Sequence, residues 1–188
     1  MAGRRRDPAL DAAIRAAATE LLHERGWGGF TVEEVAVRVG VPKSTVYKRW
    51  SSRVQLTSAI LDDWLGGMIA QVGTILTAAT EDRLCLLIEC QTAFTSGAEG
   101  RAITEVLVSD VDEPAVAELH KRAAEYRDAC HGVMGSVAAD LGSPASVDVN
   151  LVADMLLGAV WLRSLRGLTV ESGSGGSLHS SVLRLLRP

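Results

Sequence analysis

Aromatic residues are scarce in this chain, and several motifs that carry chemistry are missing from it. Four Trp, two Tyr and two Phe are 4% of 188 residues, so the 47% hydrophobic content rests on Ala, Leu and Val. Ala and Leu favour helix, and no stretch alternates in the manner of a half-buried strand. A hydrophobic share of that size also argues against disorder. The cysteines are Cys85, Cys90 and Cys130. An odd number closes no disulfide framework, and the step of five from Cys85 to Cys90 is not a CxxC metal knuckle. Small apolar core positions in a reducing compartment are the simplest reading. No run approaches eighteen apolar residues, so no membrane-spanning helix is expected. Arg4, Arg5 and Arg6 lead into Asp7, Pro8 and Asp11 with no apolar core behind them, unlike a secretory signal.

No HExxH, GxSxG or phosphate-loop motif occurs. His23, His120, His131 and His179 are scattered. Cys130 and His131 are adjacent and point apart on a helix, which is poor geometry for a dyad. Asp110, Asp112 and Glu113 stand before Pro114 as at a helix start. The expectation is a soluble, cytoplasmic protein that is not an enzyme, with no catalytic residue, no metal ligand and no cofactor.

Charge is distributed unevenly. The net charge is -4, which alone argues against a nucleic-acid partner. Yet residues 1–53 hold ten Lys/Arg against six Asp/Glu, a net of +4, and residues 54–188 hold nine against seventeen, a net of -8. A basic head on an acidic body points to a polyanion gripped at one end. The division expected is a DNA-binding head over 1–53 and a separate helical body over 54–188.

The periodicity predicts an all-α fold. Leu10, Ile14, Ala17, Ala18, Leu21 and Leu22 form one apolar stripe over residues 8–25, opened by Pro8 and stopped by Gly26. Phe30 is expected to plug back into a small core. Thr31 and Glu34 have the spacing of a capping box, opening a helix to about Val39 with Val32, Val35 and Ala36 inward. Gly40 and Val41 make a tight turn that needs positive φ. A third short helix follows from Pro42 or Lys43 to about Trp50, with Val46 and Trp50 on its core side. Short helix, glycine turn, short helix is the helix-turn-helix pattern. Further helices are predicted over 52–79, 81–95, 101–110, 114–140, 147–165 and 177–186, with a flexible Gly/Ser loop at 171–176. The helix 52–79 carries Leu56, Ile60, Trp64, Met68, Val72 and Ile75 at helical steps.

The run from Ile14 to Leu22, then Gly26, Phe30 to Ala36, Gly40 to Tyr47, Trp50 and Leu56 resembles the DNA-binding domain of the TetR family in order and spacing. The resemblance covers about a quarter of the chain. It implies a dimeric repressor that answers to a small, often lipophilic molecule. It also implies that the last two long helices pair with those of a second copy in a four-helix bundle. The chain departs from the family at Tyr47, Lys48, Arg49 and Trp50, where many relatives carry an aromatic-His-Phe run, and at Arg53, where many carry Lys. These departures keep positive charge and bear on which operator is read.

A recognition helix enters the major groove and its first turns meet base edges. Lys43, Ser44, Thr45 and Lys48 are expected on that face, with Tyr47, Arg49 and Arg53 on phosphates. Thr31 sits where a helix N-terminus favours a phosphate. One head makes few contacts, so a homodimer on a palindromic double-stranded DNA operator is expected. Leu157, Trp161, Leu178, Val182, Leu183 and Leu186 are the candidate dimer interface. Trp64, Met68, Cys90, Phe94, Tyr126, Met134, Met155 and Trp161 are candidates to line a pocket for a small-molecule effector, with Tyr126 as its polar tip. A body that only dimerises, or docks a protein partner, is the alternative.

Overall fold

The computed structural model describes residues 7–171, 173 and 176–188. Arg4, Arg5 and Arg6, and Ser172, Ser174 and Gly175 of the expected loop, lie outside the described residues. Those described form an all-helical fold: α1 (Pro8–Arg25), α2 (Val32–Val39), α3 (Lys43–Tyr47), α4 (Arg53–Ile75), α5 (Thr80–Ser96), α6 (Ala98–Leu107), α7 (Pro114–Leu141), α8 (Val149–Leu165) and α9 (Ser177–Leu186). No described helix is long and apolar enough to cross a membrane.

Local chemistry explains most boundaries. The Asp7 carboxylate caps α1 by accepting from the Ala9 N–H at 3.0 Å, and Pro8 opens the helix. At α2, the Glu34 N–H donates to Thr31 Oγ1 at 3.2 Å while the Thr31 N–H donates to Glu34 Oε2 at 2.8 Å, a reciprocal capping box. Gly40 ends α2 at φ 73°, the left-handed geometry expected of the turn.

Helix α6 (Ala98–Leu107) lies three residues earlier than the 101–110 predicted, and α3, α4 and α8 depart from prediction by two residues or more at one end. α3 ends at Tyr47 rather than Trp50, because the chain tightens there: the N–H groups of Arg49 and Trp50 both donate to the Val46 carbonyl. Ser51 and Ser52 then start α4, with Gln55 N–H donating to Ser52 Oγ at 3.0 Å. α4 stops at Ile75 instead of 79, where the Thr74 and Thr77 hydroxyls donate to backbone carbonyls and compete with the helical ladder. α8 starts two residues later than predicted, at its Asp148 cap.

The chain divides into two compact units. The first comprises residues 1–64 and 101–120, the second residues 65–100 and 121–188. The first unit thus extends beyond the 53/54 division read from charge. Leu56, Ile60 and Leu61 of α4 are buried in it and cannot be parted from it without exposing apolar surface. Its core joins Ile14, Ala18, Leu21 and Leu22 of α1 to Val35 and Ala36 of α2 and Val46 of α3. Phe30 and Trp50 turn inward as expected, 2% and 7% exposed. The second unit packs α5, α8 and α9 with most of α7, around Leu84, Leu87, Ile88, Val133, Met134, Leu156 and Val160.

Candidate nucleic-acid interface

The first unit presents a polar face built on α3. Val46 is fully buried, so its neighbours at other phases of the helix point outward. Lys43, Ser44, Tyr47 and Lys48 are exposed and Thr45 is half-buried. Glu33 of α2 organises part of this face. Tyr47 donates its O–H to Glu33 Oε1 at 3.3 Å, and Lys43 Nζ lies 3.9 Å from the same oxygen. Desolvation, then the Glu33 charge, pushes the Tyr47 phenol above its ordinary pKa and keeps it a neutral donor. Lys48 has no hydrogen bond or ion pair among the described residues, so its charge is available to an incoming anion.

Arg49 and Arg53 do not fit the phosphate role expected of them. The Arg49 side chain is 13% exposed. It is turned inward, with Nε on the Asp11 carboxylate and Nη1 donating to the Thr45 carbonyl at 3.1 Å. Arg53 donates to the Trp27 carbonyl, and its guanidinium lies 5.3 Å from the Trp27 ring centroid. Both arginines brace the head. Thr31 is likewise spent on its cap, with hydroxyl and N–H both committed to Glu34. A phosphate at this end of α2 would meet the first backbone N–H groups of the helix instead.

Several other acids of the first unit are paired internally. Arg38 holds Glu24 with a two-pronged contact at 2.9 and 3.0 Å, and the bonded guanidinium keeps the Glu24 carboxyl below its ordinary pKa. Arg25 and the Thr31 groups do the same for Glu34. Arg15 pairs with Asp63 and lies 5.8 Å over Trp50. A face whose nearby carboxylates are paired presents less repulsion to a polyanion.

In the second unit the expected pocket residues separate. Met68, Cys90, Phe94, Tyr126 and Met134 are buried. Tyr126 stacks on Phe94 at 4.6 Å between centroids and donates its O–H to Gln91 Oε1 at 2.9 Å. Cys90 and Cys130 share this buried setting. Burial pushes the Cys130 thiol up to about 12, and moves Cys90 and Tyr126 in the same direction, so none of the three ionises near neutrality. Gln91 and Thr95 are buried polar partners that sequence reading missed; Thr95 Oγ1 lies 2.7 Å from Ser164 Oγ. Nothing in the helical spacing singled them out.

Two expected pocket residues point elsewhere. Met155 is 55% and Trp161 38% exposed, because the inward phase of α8 is taken by Val152, Ala153, Leu156 and Val160. Trp64, in the first unit, is half-buried. The dimer candidates also divide. Leu157, Leu178 and Leu183 are half-buried and Trp161 is exposed, but Val182 and Leu186 are buried within the protomer, since His179, Val182 and Leu186 form the inward stripe of α9. An outward stripe was missed. Leu151, Met155, Leu162 and Leu165 are all more than half exposed, and with Gly158 they follow steps of four and three along one side of α8. That spacing is the signal that could have found them.

Residues 14–60 match the family model described as bacterial regulatory proteins, tetR family. The chain is 26% identical over 165 residues to the HTH-type transcriptional regulator YdeS of Bacillus subtilis, spanning 87% of this chain and 82% of that protein. It is 28% identical over 171 residues to the HTH-type transcriptional activator FasR of Mycolicibacterium smegmatis, spanning 87% and 77%. Among solved structures, the transcriptional regulator FadR of Bacillus subtilis, in complex with stearoyl-CoA, superposes with a TM-score of 0.66 at 20% identity, covering 93% of this chain and 96% of that one.

Proposed function

We propose that this chain, whose residues 14–60 match the family model described as bacterial regulatory proteins, tetR family, is a transcriptional repressor whose homodimer grips a palindromic operator and is released by a small lipophilic ligand. The observation that carries this reading is the outward face of α3, where Lys43, Ser44, Tyr47 and Lys48 stand exposed over a packed core. Helix α3 enters the major groove. Lys43 and Lys48 donate to guanine O6 and N7 or to phosphates, and Thr45 offers a hydroxyl and a methyl to base edges. Tyr47 supplies a phosphate contact, while Arg49 and Arg53 hold the head in shape.

Two heads read two half-sites about 34–36 Å apart, or a multiple of that spacing. The seam between copies is the α8 stripe of Leu151, Met155, Leu162 and Leu165, continued by Leu178 and Leu185 of α9. Residues 1–53 supply DNA binding, and residues 54–188 supply dimerisation and ligand binding. The ligand acts by population shift: it binds better to the arrangement in which the heads do not fit DNA, and lowers operator affinity by that difference. The acyl-CoA in the FadR complex supports a lipophilic effector as the first class to test.

A second reading has its own support, since one relative is named an activator. Position distinguishes the two: an operator overlapping the promoter means repression, and one upstream of it activation. The first experiment is binding to DNA upstream of the chain's own gene at two salt concentrations, against a scrambled duplex. Tight, salt-dependent and selective binding is expected. Equal, weak binding to both duplexes would remove that DNA as the operator.

A further inference from the structure

The second unit contains a cleft of about 280 Å³ that the DNA-binding reading does not use, walled by α5, α7 and α9. Its apolar wall includes Leu84, Val137 and Leu183. Four polar side chains also line it, Thr80, Glu81, His179 and Arg187, and two of these are potential donors to an anion that no described group holds. His179 is only 5% exposed, and its Nδ1 has no hydrogen-bond partner. Arg187 lines the cleft, and its guanidinium has no ion pair or hydrogen bond among the described residues. A buried imidazole nitrogen without a partner has lost its water and gained nothing in exchange, so folding alone gives no reason to keep it.

The walls do not hinge freely at this place. Asp140 at the end of α7 receives Thr80 Oγ1 at 2.7 Å and Arg83 Nη1 at 2.8 Å, which ties α5 to α7. The Ser143 hydroxyl donates to the Leu186 carbonyl and fixes the end of α9 beside Arg187. The helices that wall the cleft are therefore tied to one another before any ligand arrives.

We propose that this cleft binds a small unbranched monocarboxylic acid of about six carbons, a size set by room for about nine water-sized units. The carboxylate takes charge-assisted hydrogen bonds from Arg187 and from Nδ1–H of His179. The tail lies on Leu84, Val137 and Leu183. Glu81, also on the lining, opposes a second negative group. This site is distinct from the buried Tyr126 cluster and does not depend on the DNA reading.

The test is calorimetric titration of the full chain with hexanoate, beside hexan-1-ol and hexanedioate. Saturable one-to-one binding of hexanoate is expected, with the alcohol and the diacid weaker by about tenfold or more. Arg187→Gln and His179→Phe should each weaken hexanoate by a similar factor. His179→Phe should melt no lower than the parent, because it replaces an unpartnered polar atom with an apolar ring of similar size. Absence of saturable hexanoate binding would overturn the proposal. So would equal binding of hexan-1-ol, or unchanged affinity in Arg187→Gln, which changes an exposed side chain and leaves the core intact.

Discussion

Single side chains of the head divide between those that face outward and those that hold it together. Lys48 is exposed and unpaired, whereas Arg49, the next residue, is committed to Asp11. Their substitutions should therefore differ in kind. Lys48→Ala should weaken operator binding by 1–3 kcal/mol if it reads a base, or lower the salt slope by about one if it meets a phosphate, with the melting temperature unchanged. Arg49→Ala should lower the melting temperature of the head, since it strands a half-buried Asp11. A fluorescence anisotropy titration beside a thermal melt separates the two effects. The sequence placed Val46 and Trp50 inward because helical spacing reports on phase. It did not foresee the bracing contacts of Arg49 and Arg53, because their partners, Asp11 and Trp27, stand 38 and 26 residues away and leave no trace in local spacing.

At the level of the element, caps were the most legible feature. Thr31 and Glu34 announce α2, and both bonds form. Glu34 gives a pH signature to that helix. Its carboxyl is held below the ordinary range first by Arg25, then by the Thr31 N–H and hydroxyl. A carboxyl lowered in the folded state adds stability above its unfolded pKa, about 4.3, and that stability is lost as pH falls through the lower folded value. Glu34→Gln should therefore melt lower than the parent at neutral pH, and the gap should close as pH drops below about 4. A gap that persists at pH 3 would assign the effect to lost packing. Helix ends were harder to read where no cap was written. The Thr74 and Thr77 hydroxyls end α4 early through bonds to carbonyls that threonine also makes inside helices, so their type alone did not mark a stop.

For the whole molecule, the proposed dimer seam draws on residues that sequence reading chose only in part. Helix α8 is apolar on nearly every side, so periodicity marked it as important without saying which face was inward. Val152, Leu156 and Val160 face the protomer core, and Leu151, Met155, Leu162 and Leu165 face out. Leu162→Asp places a charge in the proposed seam without touching the protomer core. It should yield folded monomers by sedimentation velocity, with operator affinity reduced to that of a single head. A dimer of parental stability would move the seam elsewhere. Leu183 is a poorer probe, since it is half-buried and lines the α5–α7–α9 cleft.

The clasp between Arg53 and Trp27 has a thermodynamic consequence. It anchors the glycine-rich link after α1 to the first turn of α4, while Arg25 and Arg38 join α1 to α2. The head is thus folded before it meets DNA. The heat-capacity change on complex formation then reflects only the surface buried in contact, and carries none of the large negative increment of a segment that folds as it binds.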